Sequence, residues 1–68
     1  MQIEAKKVNE EAIKKIKDFY VLIYDTSTGE YKDLINAVNL FHVHGWTCVN
    51  ITATQTQWHW RMYALMHH

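Results

Sequence analysis

The sequence predicts an α+β domain, an N-terminal helix followed by a β-α-β-β core whose three-stranded sheet packs on one helix. Three observations carry that prediction. Residues 3–17, IEAKKVNEEAIKKIK, set Ile3, Val8, Ala12, Ile13 and Ile16 on a narrow apolar stripe and fill the remainder with charge. Phe19 to Tyr24, FYVLIY, is an unbroken β-branched and aromatic run. Near the end of the chain, apolar residues keep odd numbers at Val49, Ile51 and Ala53, then even numbers at Trp58, Trp60, Met62, Ala64 and Met66. Period-2 alternation of this kind marks two strands, each with one apolar side.

Taken in order, the first unit is an amphipathic helix within residues 1–18, with residues 19–68 forming the β-α-β-β core of the same domain. Glu10 and Glu11 precede Lys14 and Lys15 by four residues, the favourable order for helical ion pairs. FYVLIY lacks polar alternation and reads as a strand covered on both faces. Asp25 to Gly29, DTSTG, is turn chemistry, and Ser27 with Glu30 three residues on is a capping-box pattern that opens a second helix. Along that helix Tyr31, Leu34, Val38 and Phe41 recur at helical spacing, with Lys32, Asn36 and Asn39 opposite. Gly45 is placed to end it in the left-handed conformation. For the hairpin, pairing Ala53 with Trp58, Ile51 with Trp60 and Val49 with Met62 satisfies both parities and leaves Thr54 to Gln57, TQTQ, as the loop. A right-handed crossover through the second helix makes the two long strands it joins parallel, and the last strand then lies between them, antiparallel to both.

Composition narrows the function. At 68 residues the chain is one domain, and a chain of this size buries only about 60% of the surface its unfolded form exposes. Small domains recover the deficit with disulfides, a metal or a partner. Cys48 stands alone, so no internal disulfide forms. A lone cysteine and the lack of a secretory leader point to a reducing, cytoplasmic setting. The longest apolar run, Phe19 to Tyr24, is far too short for a membrane span. Net charge is zero, without the basic footprint of a nucleic-acid binder. Charge is also unevenly placed. Residues 1–33 hold six lysines and all seven acids, whereas residues 34–68 hold Arg61 alone. Depletion of charge with enrichment of Trp, Tyr, Met and Arg is the composition of an interface core, and residues 34–68 hold all three tryptophans and the one arginine.

From Phe19 onward the chain resembles a family of short bacterial and phage domains of unknown function. The residues that carry the likeness are Val38-Asn39 in the second helix, Gly45-Trp46 at its end, and Val49 and Ile51 after it. Members of that family run strand, helix ending in Gly-Trp, then a two-stranded hairpin, often with Leu-Asn seven residues before the Trp, the spacing of Asn39 to Trp46 here. The N-terminal segment is an addition to that unit, and His44 stands where the family is often acidic. The resemblance implies a strand-helix-hairpin fold and no activity.

The residues bear on four chemistries. For zinc, His42, His44, Cys48, His59, His67 and His68 are the candidates, but structural sites use paired ligand spacings that this chain lacks. No metal or other cofactor is expected, and the adjacent His67-His68 reads as an unstructured end. For catalysis, Cys48 with a histidine could form a nucleophile and base, yet an isolated strand cysteine is ordinarily a small buried hydrophobe. No enzymatic activity is expected. For single-stranded nucleic acid, WHWRMY, Trp58 to Tyr63, offers aromatics and an arginine. Alternation, however, sends Trp58 and Trp60 to the core with Met62, and no basic groove surrounds the rest. For protein contact, the outward side of the central strand presents His59, Arg61, Tyr63 and Leu65, with His59, Arg61 and Tyr63 as the recognition set and Trp46, Trp58 and Trp60 as structural residues. This face needs a cover, either the N-terminal helix or a second subunit. The expected partner is a copy of the chain or another protein, with nucleic acid as the alternative and no membrane.

Overall fold

The computed structural model describes residues 1–27, 31–55, 57 and 60–68, the side chains of Ser27 and Trp60 excepted. In chain order the elements are strand β1 (Gln2–Glu4), a 3-10 turn (Ala5–Lys7), helix α1 (Glu10–Lys15), strand β2 (Tyr20–Ser27), helix α2 (Lys32–Val43), strand β3 (Thr47–Gln55) and strand β4 (Trp60–His67). The strands form one mixed sheet in the order β1-β2-β4-β3. β4 runs antiparallel to both β2 and β3 and lies between them, the position expected from a crossover through the second helix. The α+β class holds, but the sheet has four strands, not three.

The fourth strand comes from the segment read as one long helix. Gln2 to Glu4 pair parallel with Leu22 to Tyr24, closing the edge of β2 that a three-stranded sheet leaves open. Asn9 is what interrupts the helical stripe. Its backbone is extended (φ −147°, ψ 172°), and its side-chain oxygen accepts a hydrogen bond from the Ala12 N–H at 2.8 Å. It is thus an N-cap, followed by Glu10 and Glu11 in the first turn and by Lys14 and Lys15 in the last, an arrangement that suits the helix dipole. The expected N-terminal helix over residues 3–17 is therefore a six-residue helix preceded by a strand and a 3-10 turn.

Helix α2 ends as its sequence requires. Gly45 has φ +88°, its N–H donates to His42 O at 3.0 Å, and the Trp46 N–H donates back to Phe41 O at 3.0 Å. These two bonds define a Schellman cap, which satisfies the last carbonyls of the helix. The apolar contact that accompanies such a cap is here aromatic: the Phe41 and Trp46 rings meet edge to face, 5.2 Å between centroids. Gly45 and Trp46 thus act together, one reversing the chain and the other pinning it to the helix it leaves. The other end departs from expectation: Ser27, read as opening the helix in a capping box with Glu30, is the last residue of β2, and α2 starts later, with Tyr31 at its N-cap and no side-chain cap hydrogen bond. Glu30 lies outside the described residues.

The hairpin register differs from the expected one. Ala53 pairs with Met62, not Trp58, and Ile51 pairs with Ala64, not Trp60. The strands extend to Gln55 and from Trp60, so Thr54 and Gln55, expected in the loop, join the ladder instead. A slide of four residues is even, so Ile51, Ala53, Met62, Ala64 and Met66 keep their side of the sheet. What the slide gains is a fully paired β4, with Met62, Ala64 and Met66 buried beneath α2 between two neighbouring strands. A bulge between Cys48 and Asn50 leaves Val49 without a partner and 55% exposed, and brings half-buried Cys48 level with Met66.

The core lies on one side of the sheet only. Val21 and Ile23 from β2, Met62, Ala64 and Met66 from β4, and Leu34, Ala37 and Phe41 from α2 are buried with Trp46, Ala5 and Ile13. The last two show where the N-terminal segment goes. It packs beside α2, on the face α2 already covers, with Ile3, Val8 and Ile16 against the same cluster.

Candidate functional site

The opposite face of the sheet is the candidate site. Strand β2 was expected to be covered on both sides, but it alternates: Val21, Ile23 and Asp25 are buried, whereas Tyr20 is 53% exposed and Leu22 and Tyr24 are half-buried. The register places these outward residues in rows across the sheet. Leu22 lies between Gln2 and Leu65, with Asn50 beyond; Tyr24 lies between Glu4 and Tyr63, with Thr52 beyond; Thr26 lies beside Arg61, with Thr54 beyond. At the far end Tyr20 stacks on His67, ring centroids 4.4 Å apart. Two leucines and two tyrosines therefore form the centre of this face, framed by Thr, Asn and Gln.

Of the residues selected from sequence, Arg61 and Tyr63 stand on this face, Arg61 exposed and Tyr63 half-buried. His59 and Trp58 lie outside the described residues, as does the side chain of Trp60. Trp46 is 3% exposed and belongs to the core, as expected. The alternation missed Leu22, Tyr24 and Tyr20, because an unbroken apolar run does not reveal which side of a strand is left open. Among the described residues Arg61 has no carboxylate partner, and Glu4, the acid in the adjacent row, has Lys7 at 4.0 Å. Gln2, Tyr24, Thr26, Arg61 and Tyr63, with Asp25, line an open hollow of about 260 Å³.

The histidines and the cysteine do not converge. His42 Nδ1 lies 3.3 Å from the Trp46 carbonyl, and His44 Nε2 is buried without a hydrogen-bond partner. Cys48 Sγ lies 3.8 Å from the Asn50 carbonyl. His67 and His68 are not a loose end: His67 is paired in β4, and the His68 N–H donates to Phe19 O at 2.8 Å while its ring lies 4.7 Å from that of Trp46. Among the described residues no three His, Cys, Asp or Glu side chains come together as a metal site would require. His44, Trp46 and His68 border a second, smaller hollow of about 190 Å³ with Ile13, Lys14 and Ile16.

Among the described residues the acid shifted from its ordinary value is Asp25, on the core side of β2 and 2% exposed. Burial pushes its carboxyl above the ordinary aspartate value, Asp33 and Glu4 push the same way, and Lys6 and the Thr26 N–H oppose them. Asp25 shares its row with core-side Met62, while it also borders the hollow at Arg61. No helix among the described residues is long and apolar enough to cross a membrane. Comparison with protein-family models, curated proteins and solved structures finds no match to this chain.

Proposed function

We propose that this chain is a non-enzymatic interaction domain that self-associates through the open face of its sheet. The observation that carries the reading is the side on which the N-terminal segment packs. Of the two covers available, that segment lies with α2, which leaves Leu22, Tyr24, Tyr63 and Leu65 for a second subunit. A soluble domain gains by withdrawing such a contiguous apolar row from water.

A copy of the chain fits the surface. A two-fold axis parallel to the strands, over the line between β2 and β4 and midway between two facing sheets, lays Leu22 over the partner's Leu65 and Tyr24 over the partner's Tyr63. Arg61 and Glu4 balance one another, so no block of like charge is brought together. With strands about 4.8 Å apart and residues rising about 3.3 Å each, β2, β4 and β3 with the short β1 beside them span roughly 20 by 26 Å at their widest. With side-chain relief that approaches the ~800 Å² per partner of a standard interface. The same features argue against an enzyme: the hollow at Arg61 is open and smaller than the roughly 300–1,000 Å³ of typical ligand sites. In a reducing, cytoplasmic setting Cys48 stays a thiol and adds no link between chains.

One observation favours a second reading. Tyr20, Tyr24 and Tyr63 with Arg61 on an open four-stranded sheet resemble a platform for stacking bases. The face offers one described arginine where such sites combine aromatics with a positively charged groove, so this reading ranks below self-association. The double variant Arg61→Ala, Tyr63→Ala separates the two. Loss of the oligomer by light scattering, with binding of a labelled single-stranded oligonucleotide negligible before and after, supports the protein interface. An unchanged oligomeric mass with loss of oligonucleotide binding replaces it with the nucleic-acid reading.

A further inference from the structure

The sheet has two edges, and they are protected very differently. At one edge β1 is three residues long, carries Glu4, and turns at once into Ala5–Lys7 with Lys6 and Lys7. A short, charged strand that curls away is a standard means of blocking unwanted strand pairing. At the other edge β3 is nine residues long and pairs only with β4. Its sequence, TCVNITATQ, has no charge, no proline and no glycine. Its only irregularity is the bulge at Val49, and beyond it Asn50 to Gln55 run straight and exposed on both sides. Ile51, on the α2 side of the sheet, is 45% exposed although its partner Ala64 is fully buried, so the cover over the sheet thins towards the β3 edge.

We propose that the free edge of β3 pairs antiparallel with β3 of a second copy, joining two sheets into one of eight strands. A row of backbone N–H and C=O groups is satisfied best by another extended backbone, and β3 is itself the exposed extended segment that this chain supplies. Antiparallel self-pairing of Asn50–Gln55 opposes no like charges. It also sets threonines beside threonines on the open face, with Ile51 and Ala53 beside their counterparts on the other. This contact is separate from the face-to-face contact proposed above and stands or falls independently of it. Each uses a different surface, so one protomer can make both at once.

Amide hydrogen exchange resolved by residue, on the full chain at high and low concentration, tests the edge. In a free edge strand about every second amide points to water and exchanges quickly. The expected result is slow exchange at successive amides across Asn50–Gln55 at high concentration, reverting to the alternating pattern on dilution. Ile51→Lys, and independently Ala53→Lys, should abolish the extra protection, because each sets lysines against one another across the two-fold. Both positions are exposed and point away from the open face, so circular dichroism should report an intact fold. Leu65→Lys, on the open face, should leave the edge protection in place. An alternating pattern at every concentration overturns the proposal, as does protection that survives both lysine variants.

Discussion

The two faces of this sheet are built from the same strands, and alternate residues of those strands meet opposite fates. On one face Val21, Ile23, Ala64 and Met66 are completely buried; on the other, one residue along, Tyr20 is 53% exposed and Leu22, Tyr63 and Leu65 are half-buried. Hydrophobicity does not explain the difference, since leucine and tyrosine are as ready to be buried as valine and methionine. The supply of covering elements does. The chain has α2, the short α1 and a 3-10 turn, and all of them are used on one face. The covered side thus holds the core, whereas Leu22, Tyr24, Tyr63 and Leu65 on the open side have no covering element among the described residues.

If so, substitutions on the two faces should differ in kind. The largest effect on stability is expected on the covered face. Phe41→Ala removes a fully buried ring that also meets Trp46 edge to face. It should cost about 3–5 kcal/mol in denaturant unfolding, enough to unfold a domain this small. An effect below about 1 kcal/mol there would blur the distinction between the faces.

Next is the cap that joins α2 to β3. Gly45→Ala meets no neighbouring atom, since nothing lies within 4 Å of the added Cβ. Its cost comes from the backbone alone, about 1–2 kcal/mol for a left-handed non-glycine residue. A thermal melt that does not move would mean the turn can relax out of φ +88° without loss.

A smaller effect, of opposite sign, is expected at Asp25. Its folded-state value is raised above the unfolded one, so the folded chain holds this proton more tightly and stability falls as pH climbs from the ordinary aspartate value through the raised one. Burying the charged form is therefore a standing cost at neutral pH. Asp25→Asn should raise the neutral-pH melting temperature and remove that part of the pH dependence. A variant less stable than wild type at pH 7, with the slope unchanged, would show that the carboxylate is better satisfied than its burial suggests.

Much of this arrangement was legible in the residues, for physical reasons that can be located. The even-numbered burial of Met62, Ala64 and Met66 follows from strand periodicity, and the same alternation put Arg61 and Tyr63 outside. Gly45 followed by Trp46 marked the end of α2, because only glycine is comfortable at that turn. The register was not legible, since a slide of four residues preserves every parity. Nor was β1. Ile3 fits a helical stripe as well as it fits an edge strand, and what decides between them is the open edge of β2, a tertiary fact. Asn9 followed by two glutamates was a readable cap that the longer apolar periodicity obscured. The uncovered half of the site, Leu22 and Tyr24, was hidden within FYVLIY, where every residue looks equally fit for burial.

The most direct test of the open face is the molar mass of the protein in solution, measured by light scattering across a range of concentrations for wild type and Leu65→Lys side by side. Leu65 is half-buried at the centre of the open face and contributes nothing to the covered core. The account predicts that wild type associates, that Leu65→Lys loses the association made by this face, and that the variant melts within a few degrees of wild type. A wild type that stays monomeric at every concentration, or a variant that associates as strongly as the parent, would contradict it.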